Sequence, residues 1–138
     1  MSNKKLKYPM VLDPRKVGEY PALAKAGGGY VWDAVLEYRV WCHGDGDDYY
    51  HAFAIYEEAL AFSQATRGAK EPLALILQRE YISEPEPGHF IHVKAERITE
   101  WPVAFLSRPQ RTASTLADFF ASDAPPNRVD ILRGTAKR

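Results

Sequence analysis

The chain has 138 residues, with 18 Lys and Arg against 18 Asp and Glu, so its formal net charge is zero. At this length a chain buries roughly two thirds of its unfolded surface, which suits one compact domain and leaves little room for two. The balanced charge, with no basic and aromatic-interleaved face, argues against nucleic acid as a partner. The lack of a long apolar run argues against a membrane, and Cys42, the sole cysteine, excludes an intrachain disulfide.

Charge is nonetheless ordered along the chain. Residues 1–29 hold six Lys and Arg against two acids, 30–66 one against seven, 67–106 five against six, and 107–138 six against three. Basic ends around an acidic middle fold back over it or reach an acidic partner. With no signal peptide in view, the expected setting is the cytoplasm. Three domain-level parts follow: a basic N-terminal arm over 1–29, an α+β core over 30–106 and a C-terminal clasp over 107–138, all within one domain.

In chain order, the arm is punctuated by Pro9, Pro14 and Pro21 and ends in Gly27, Gly28 and Gly29. Three glycines can cradle a phosphate in a backbone nest, but neither GxGxxG nor GxxxxGK[ST] is present, so a flexible hinge is the preferred reading. From Val35 onward Leu36, Tyr38, Val40 and Cys42 alternate with Glu37, Arg39, Trp41 and His43, the period of a strand. GDGDD then turns the chain, and Tyr49 to Phe53 forms a short strand.

The next stretch repeats apolar residues at three- and four-residue steps through Ile55, Ala59 and Phe62, with Tyr56 and Leu60 beside them. This spacing predicts a helix over 55–67. Glu57 and Glu58 suit its first turn, Gly68 suits its end, and no side chain near Ala54 or Ile55 can cap its start. After Pro72, Leu73, Leu75 and Leu77 fall on one face and Ala74 and Ile76 on the other, as in an interior strand. SEPEPG supplies a turn and HFIHVKAERI resumes the alternation, which predicts a hairpin of 73–82 with 89–98. The helix as a crossover between the first strand and 73–82 makes a right-handed unit in a mixed sheet.

Beyond Ile98, Trp101, Val103, Phe105 and Leu106 are interrupted by Pro102 and Pro109. Ser114 or Thr115 begins a short helix through Leu116, Phe119 and Phe120 before DAPPN ends it. The fold expected is α+β, a small mixed or antiparallel sheet of three to five strands with one main helix packed on a face. Three Trp, eight Tyr and six Phe exceed what that core consumes. Trp101, Phe105, Phe119 and Phe120, beyond the regular sheet, are the candidate interaction surface for a protein partner or a second copy.

Chemistry is harder to place. Cys42, His43, Asp45, Asp47, Asp48 and His51 cluster within ten residues, but no CxxC, HExxH or calcium-loop register orders them, so no metal is assigned and a solvated turn is the reading. His89 and His92 are three apart on a strand and point to opposite faces. Cys42 groups with Leu36, Tyr38 and Val40 as core. No catalytic or cofactor-binding residue stands out, no cofactor is implied, and a non-catalytic binding or accessory domain is the expected function.

Two resemblances set the alternatives. KYPMVLDPRKVGEYPALAKAGGGYVWD, EYRVWCH, FAIYEEALAFS, EPLALILQREYI, EPEPG and RITEWPVAFLSRP are similar to segments of short alphaproteobacterial proteins identified as GCN5-type N-acetyltransferases, and the likeness spans nearly the whole chain. It implies acetyl-CoA and an amine acceptor. The acetyltransferase pyrophosphate loop, Gln or Arg with a downstream Gly-x-Gly or Gly-x-Ala after a strand, has no counterpart, so the likeness assigns no acetyl-CoA residue. Arg39 on an early strand with Glu96 or Glu100 on a late one resembles, in order, the Arg and Glu of ADP-ribosyltransferases, the third reading.

Overall fold

The computed structural model describes residues 6–44 and 46–135, with backbone alone at 25 and 26. The alternating run after Val35 forms a nine-residue strand, Ala34–Cys42 (β2), and the aromatic run forms Tyr49–Phe53 (β3), paired antiparallel to it. The amphipathic stretch forms the helix Tyr56–Ala65 (α1). The doubly apolar run forms Leu73–Gln78 (β4) at the centre of a five-stranded sheet. Lys25–Ala26 (β1) and Arg97–Pro102 (β7) complete that sheet in the order β1-β7-β4-β2-β3. β1 runs parallel to β7 and every other pairing is antiparallel, so the fold is α+β with a mixed sheet, as expected.

Two expectations are corrected. The Pro-Gly turn does close a hairpin, but between Tyr81–Glu86 (β5) and His89–Val93 (β6), which form a separate two-stranded sheet. β4 stops at Gln78 because a strand apolar on both faces needs neighbours on both edges, which β2 and β7 supply and the half-exposed β6 does not. The chain also reverses through β3 before α1 begins. The helix therefore carries the chain from β3 to β4, and β4 lies antiparallel to β2 rather than parallel as a direct crossover would require.

A bulge between Val35 and Glu37 changes which face Leu36 serves. Val35, Tyr38, Val40 and Cys42 face one core with Ala74, Ile76 and Trp101, under Tyr56 and Ala59 of α1. Leu36 faces the opposite side with Leu75 and Leu77, apart from the residues that simple alternation groups with it. Ile55 stands at the helix start with no side-chain cap, as the sequence indicates. Thr115–Phe120 (α2) and Arg128–Leu132 (α3) close a second core over β5 and β6 from Val31, Ile82, Leu116, Phe119 and Leu132. Among the described residues no helix is long and apolar enough to cross a membrane.

Candidate functional site

Gly27, Gly28 and Gly29 all adopt left-handed backbone, with φ of 55°, 82° and 88°. Their carbonyls are anchored. Gly27 O accepts from Arg97 Nη2 at 3.2 Å and Thr99 Oγ1 at 3.1 Å, and Gly28 O accepts from Gln78 Nε2 and Trp101 Nε1, each at 3.0 Å. The hinge expected here is thus a pinned corner: side chains of β4 and β7 hold the Gly27 and Gly28 carbonyls, and the backbone N–H groups of Val31 and Ile82 hold that of Gly29, at 2.8 Å and 3.1 Å. At Gly29 a Cβ would lie 2.3 Å from Gln78 Nε2, so only glycine fits.

Tyr30 follows at φ 63°, the sole left-handed residue other than glycine among those described. A bulky side chain in that region costs roughly 1–2 kcal/mol, and such strain collects at functional sites. The corner aims its hydroxyl at Glu84 of β5, to which it donates, while Arg133 Nη2 donates to the same hydroxyl at 3.3 Å. Burial, then the bond to Glu84, raises the Tyr30 phenol. That bond, followed by a 2.8 Å bond from Gly88 N, lowers the Glu84 carboxyl.

Two more arginines face this corner. Arg97 on β7 donates from Nε to Gln78 Oε1 at 2.7 Å and lies 4.0 Å over the Tyr81 ring. Arg108 follows the short 3₁₀ turn Val103–Ser107, its guanidinium 3.9 Å from the Phe105 ring and 5.2 Å from Trp101. Its Nε is shut off from solvent and has no hydrogen-bond partner among the described residues. Burial, and the nearby Arg133, hold its pKa below the usual guanidinium range. Among the described residues, no carboxylate forms an ion pair with Arg97, Arg108 or Arg133. They border a cleft of about 410 Å³ whose walls also include Gly28, Tyr30, Tyr81 and Glu84.

A second polar cluster lies across the sheet and is closed. Arg39, fully buried, pairs with Glu37 at 2.7 Å and Glu100 at 3.0 Å, and Trp41 Nε1 donates to Glu100 at 2.9 Å. The segment 18–24 straps this cluster down. Gly18 N donates to Glu37 at 2.8 Å, Arg39 donates to the carbonyls of Pro21 and Ala22, and the Tyr50 hydroxyl donates to Tyr20 O at 3.2 Å. The structure thus brings Arg39 to Glu100, while Glu96 is exposed beside Arg79.

The four aromatic candidates do not share one exposed face. Trp101 is fully buried, Phe119 is buried in the second core, and Phe105 is half-buried on the wall of the cleft. Phe120, 37 % exposed, stacks on His92. In the His- and Asp-rich turn His43 bonds Asp48, His51 packs on Phe62 and Cys42 is buried. Asp45 lies outside the described residues. No group of three or more His, Cys, Asp and Glu side chains converges as a metal site among the described residues.

Sequence reasoning found the glycine run but missed the arginines and Glu84, which are scattered from position 84 to 133 and carry no spacing signature. A bulky tyrosine directly after three glycines was the one local sign. No family model matches the chain, and comparison with curated proteins and with solved structures finds no match.

Proposed function

We propose that this is a non-catalytic binding or accessory domain that holds the anionic group of a small ligand in the cleft bordered by Arg97, Arg108 and Arg133. The observation that supports this reading is the Arg108 guanidinium, partly desolvated and, like Arg97 and Arg133 beside it, without an ion-paired carboxylate among the described residues. Removing a guanidinium from water without an ion partner is costly, and an anion received there offsets that cost. The pinned glycine corner and the strained Tyr30 fix the geometry before any ligand arrives.

The acyl-CoA-dependent transferase reading calls on the same cleft through the phosphates of CoA, and one experiment addresses both. Calorimetric titration with inorganic phosphate and with acetyl-CoA should give saturable binding of phosphate that Arg108→Met weakens at least about tenfold, the loss of one charge-assisted contact. Binding of acetyl-CoA alone, equally sensitive to Arg108→Met, would favour the transferase. The buried Arg39–Glu100 pair, closed by the strap, lends no support to an ADP-ribosyltransferase. We read the setting as cytoplasmic from the single cysteine, which lies in the core. A protein partner or second copy would meet Phe120 first of the four aromatic candidates.

A further inference from the structure

We propose that the anion taken by the cleft is the dianion of a small-molecule phosphomonoester, an inference that rests on the cleft being an anion site. The argument begins with charge. The walls contribute three guanidiniums, Arg97, Arg108 and Arg133, and one carboxylate, Glu84, which leaves two positive charges facing the space between them. A monocarboxylate neutralises half of that excess and a phosphomonoester all of it. Asp130 also acts on Arg133 but does not line the cleft.

Donor count points the same way. A guanidinium has five N–H donors. Arg97 commits Nε to Gln78 and Nη2 to Gly27, and Arg133 commits Nη2 to Tyr30, while Arg108, its Nε enclosed, commits neither Nη to any described residue and keeps both for a ligand. A phosphoryl group offers three strong acceptor oxygens, against two on a carboxylate. It can therefore meet three separate guanidiniums at once. Glu84, already accepting from Tyr30 and Gly88 N, keeps its charge at the edge of the site and disfavours a second anionic group there. The space, about 410 Å³, holds a phosphate with a short organic remainder.

The class of anion can be read from pH, because no histidine lines the cleft. The titratable groups facing it are Tyr30 and Tyr81, Glu84 and the three arginines. Glu84 is held low, Tyr30 is raised, phenols ordinarily lose their proton near 10, and guanidiniums stay charged. Between pH 5 and 7.5 the ligand alone changes charge.

The test titrates glycerol 3-phosphate, inorganic sulfate and acetate into the full chain at pH 5 and pH 7.5. With a second phosphate pKa near 6, about a tenth of the monoester is dianionic at pH 5 and nearly all at pH 7.5, so its affinity should rise about tenfold. Sulfate, a dianion throughout, should show no rise, and acetate should bind more weakly than either. Arg108→Met and the more exposed Arg133→Gln should each abolish most of the pH 7.5 affinity, the second serving if the first fails to fold. A flat profile for glycerol 3-phosphate, or acetate binding as tightly, overturns the phosphomonoester while leaving an anion site. If no anion binds and both variants match the wild type, the anion-site reading itself falls.

Discussion

Arg39 and Arg108 are the same residue in opposite circumstances. Arg39 is enclosed by two carboxylates and two carbonyls, a set that takes four of its five N–H donors and commits it to holding the sheet face together. Arg108 has aromatic rings for neighbours and an unmatched Nε. Glu84 lines the same cleft as Arg108, and its titration should be visible in stability. Its folded pKa is lowered below the ordinary 4.5, so its contribution is complete above the unfolded value and is lost as pH falls through the folded one. Glu84→Gln should accordingly lower the melting temperature at pH 6, with the gap to wild type closing toward pH 3. A gap that stays constant over that range would mean that Glu84 gains nothing from Tyr30 and Gly88.

At the scale of elements, α1 contacts the sheet through Tyr56 and Ala59, while Leu60, Ile55 and Phe62 are only partly covered. Full burial of a leucine contributes about 1.5–3 kcal/mol, so Leu60→Ala should cost about 1 kcal/mol, measurable as a reduced midpoint in urea. A cost above about 3 kcal/mol would place Leu60 deep in the core, against the structure. The helix, β2 and β3 were legible because each has a periodic pattern bounded by Gly, Pro or Asp. The partner of β4 was not. Both 89–93 and 97–102 alternate acceptably, and the choice falls to β7 because Trp101 and Thr99 bury fully beside Ala74 and Ile76. The bulge at Leu36 left no trace in the sequence, since Val35, Leu36 and Val40 are apolar in either register. The cleft was illegible for a further reason: arginines at 97, 108 and 133 meet only after the sheet, the 3₁₀ turn and α3 have each been placed.

The molecule as a whole divides into two apolar bodies sharing one polar seam. The five-stranded sheet has cores on both faces, whereas β5, β6, α2 and α3 enclose the smaller second core. Gln78 joins them, bonding Gly28 O and Val31 O from the last position of β4. Central β2, β4 and β7 amides should exchange with solvent slowest. Amides of β5, β6 and α3 should exchange faster and slow down when glycerol 3-phosphate binds, because Glu84 and Arg133 both border the cleft. Uniform protection across both bodies, measured by native-state hydrogen exchange, would show that they open as one unit.

The strap over Arg39 is gripped by its backbone: Gly18 through its N–H, and Tyr20, Pro21 and Ala22 through their carbonyls. None of these contacts reads a strap side chain, and Leu23 is 88 % exposed. Beyond Tyr20 and Ala24, which pack against Leu36, Leu75 and Leu77, selection acting on stability therefore sees the path of this segment more than its spelling. Residue identities at 19 and 22–23 are free to drift, and a protease cleavage sequence or an antibody epitope written there should be displayed on an intact fold. Position 18 is the exception, because its φ of 89° favours glycine and proline there would also delete the backbone N–H that Glu37 accepts alongside Arg39 Nε.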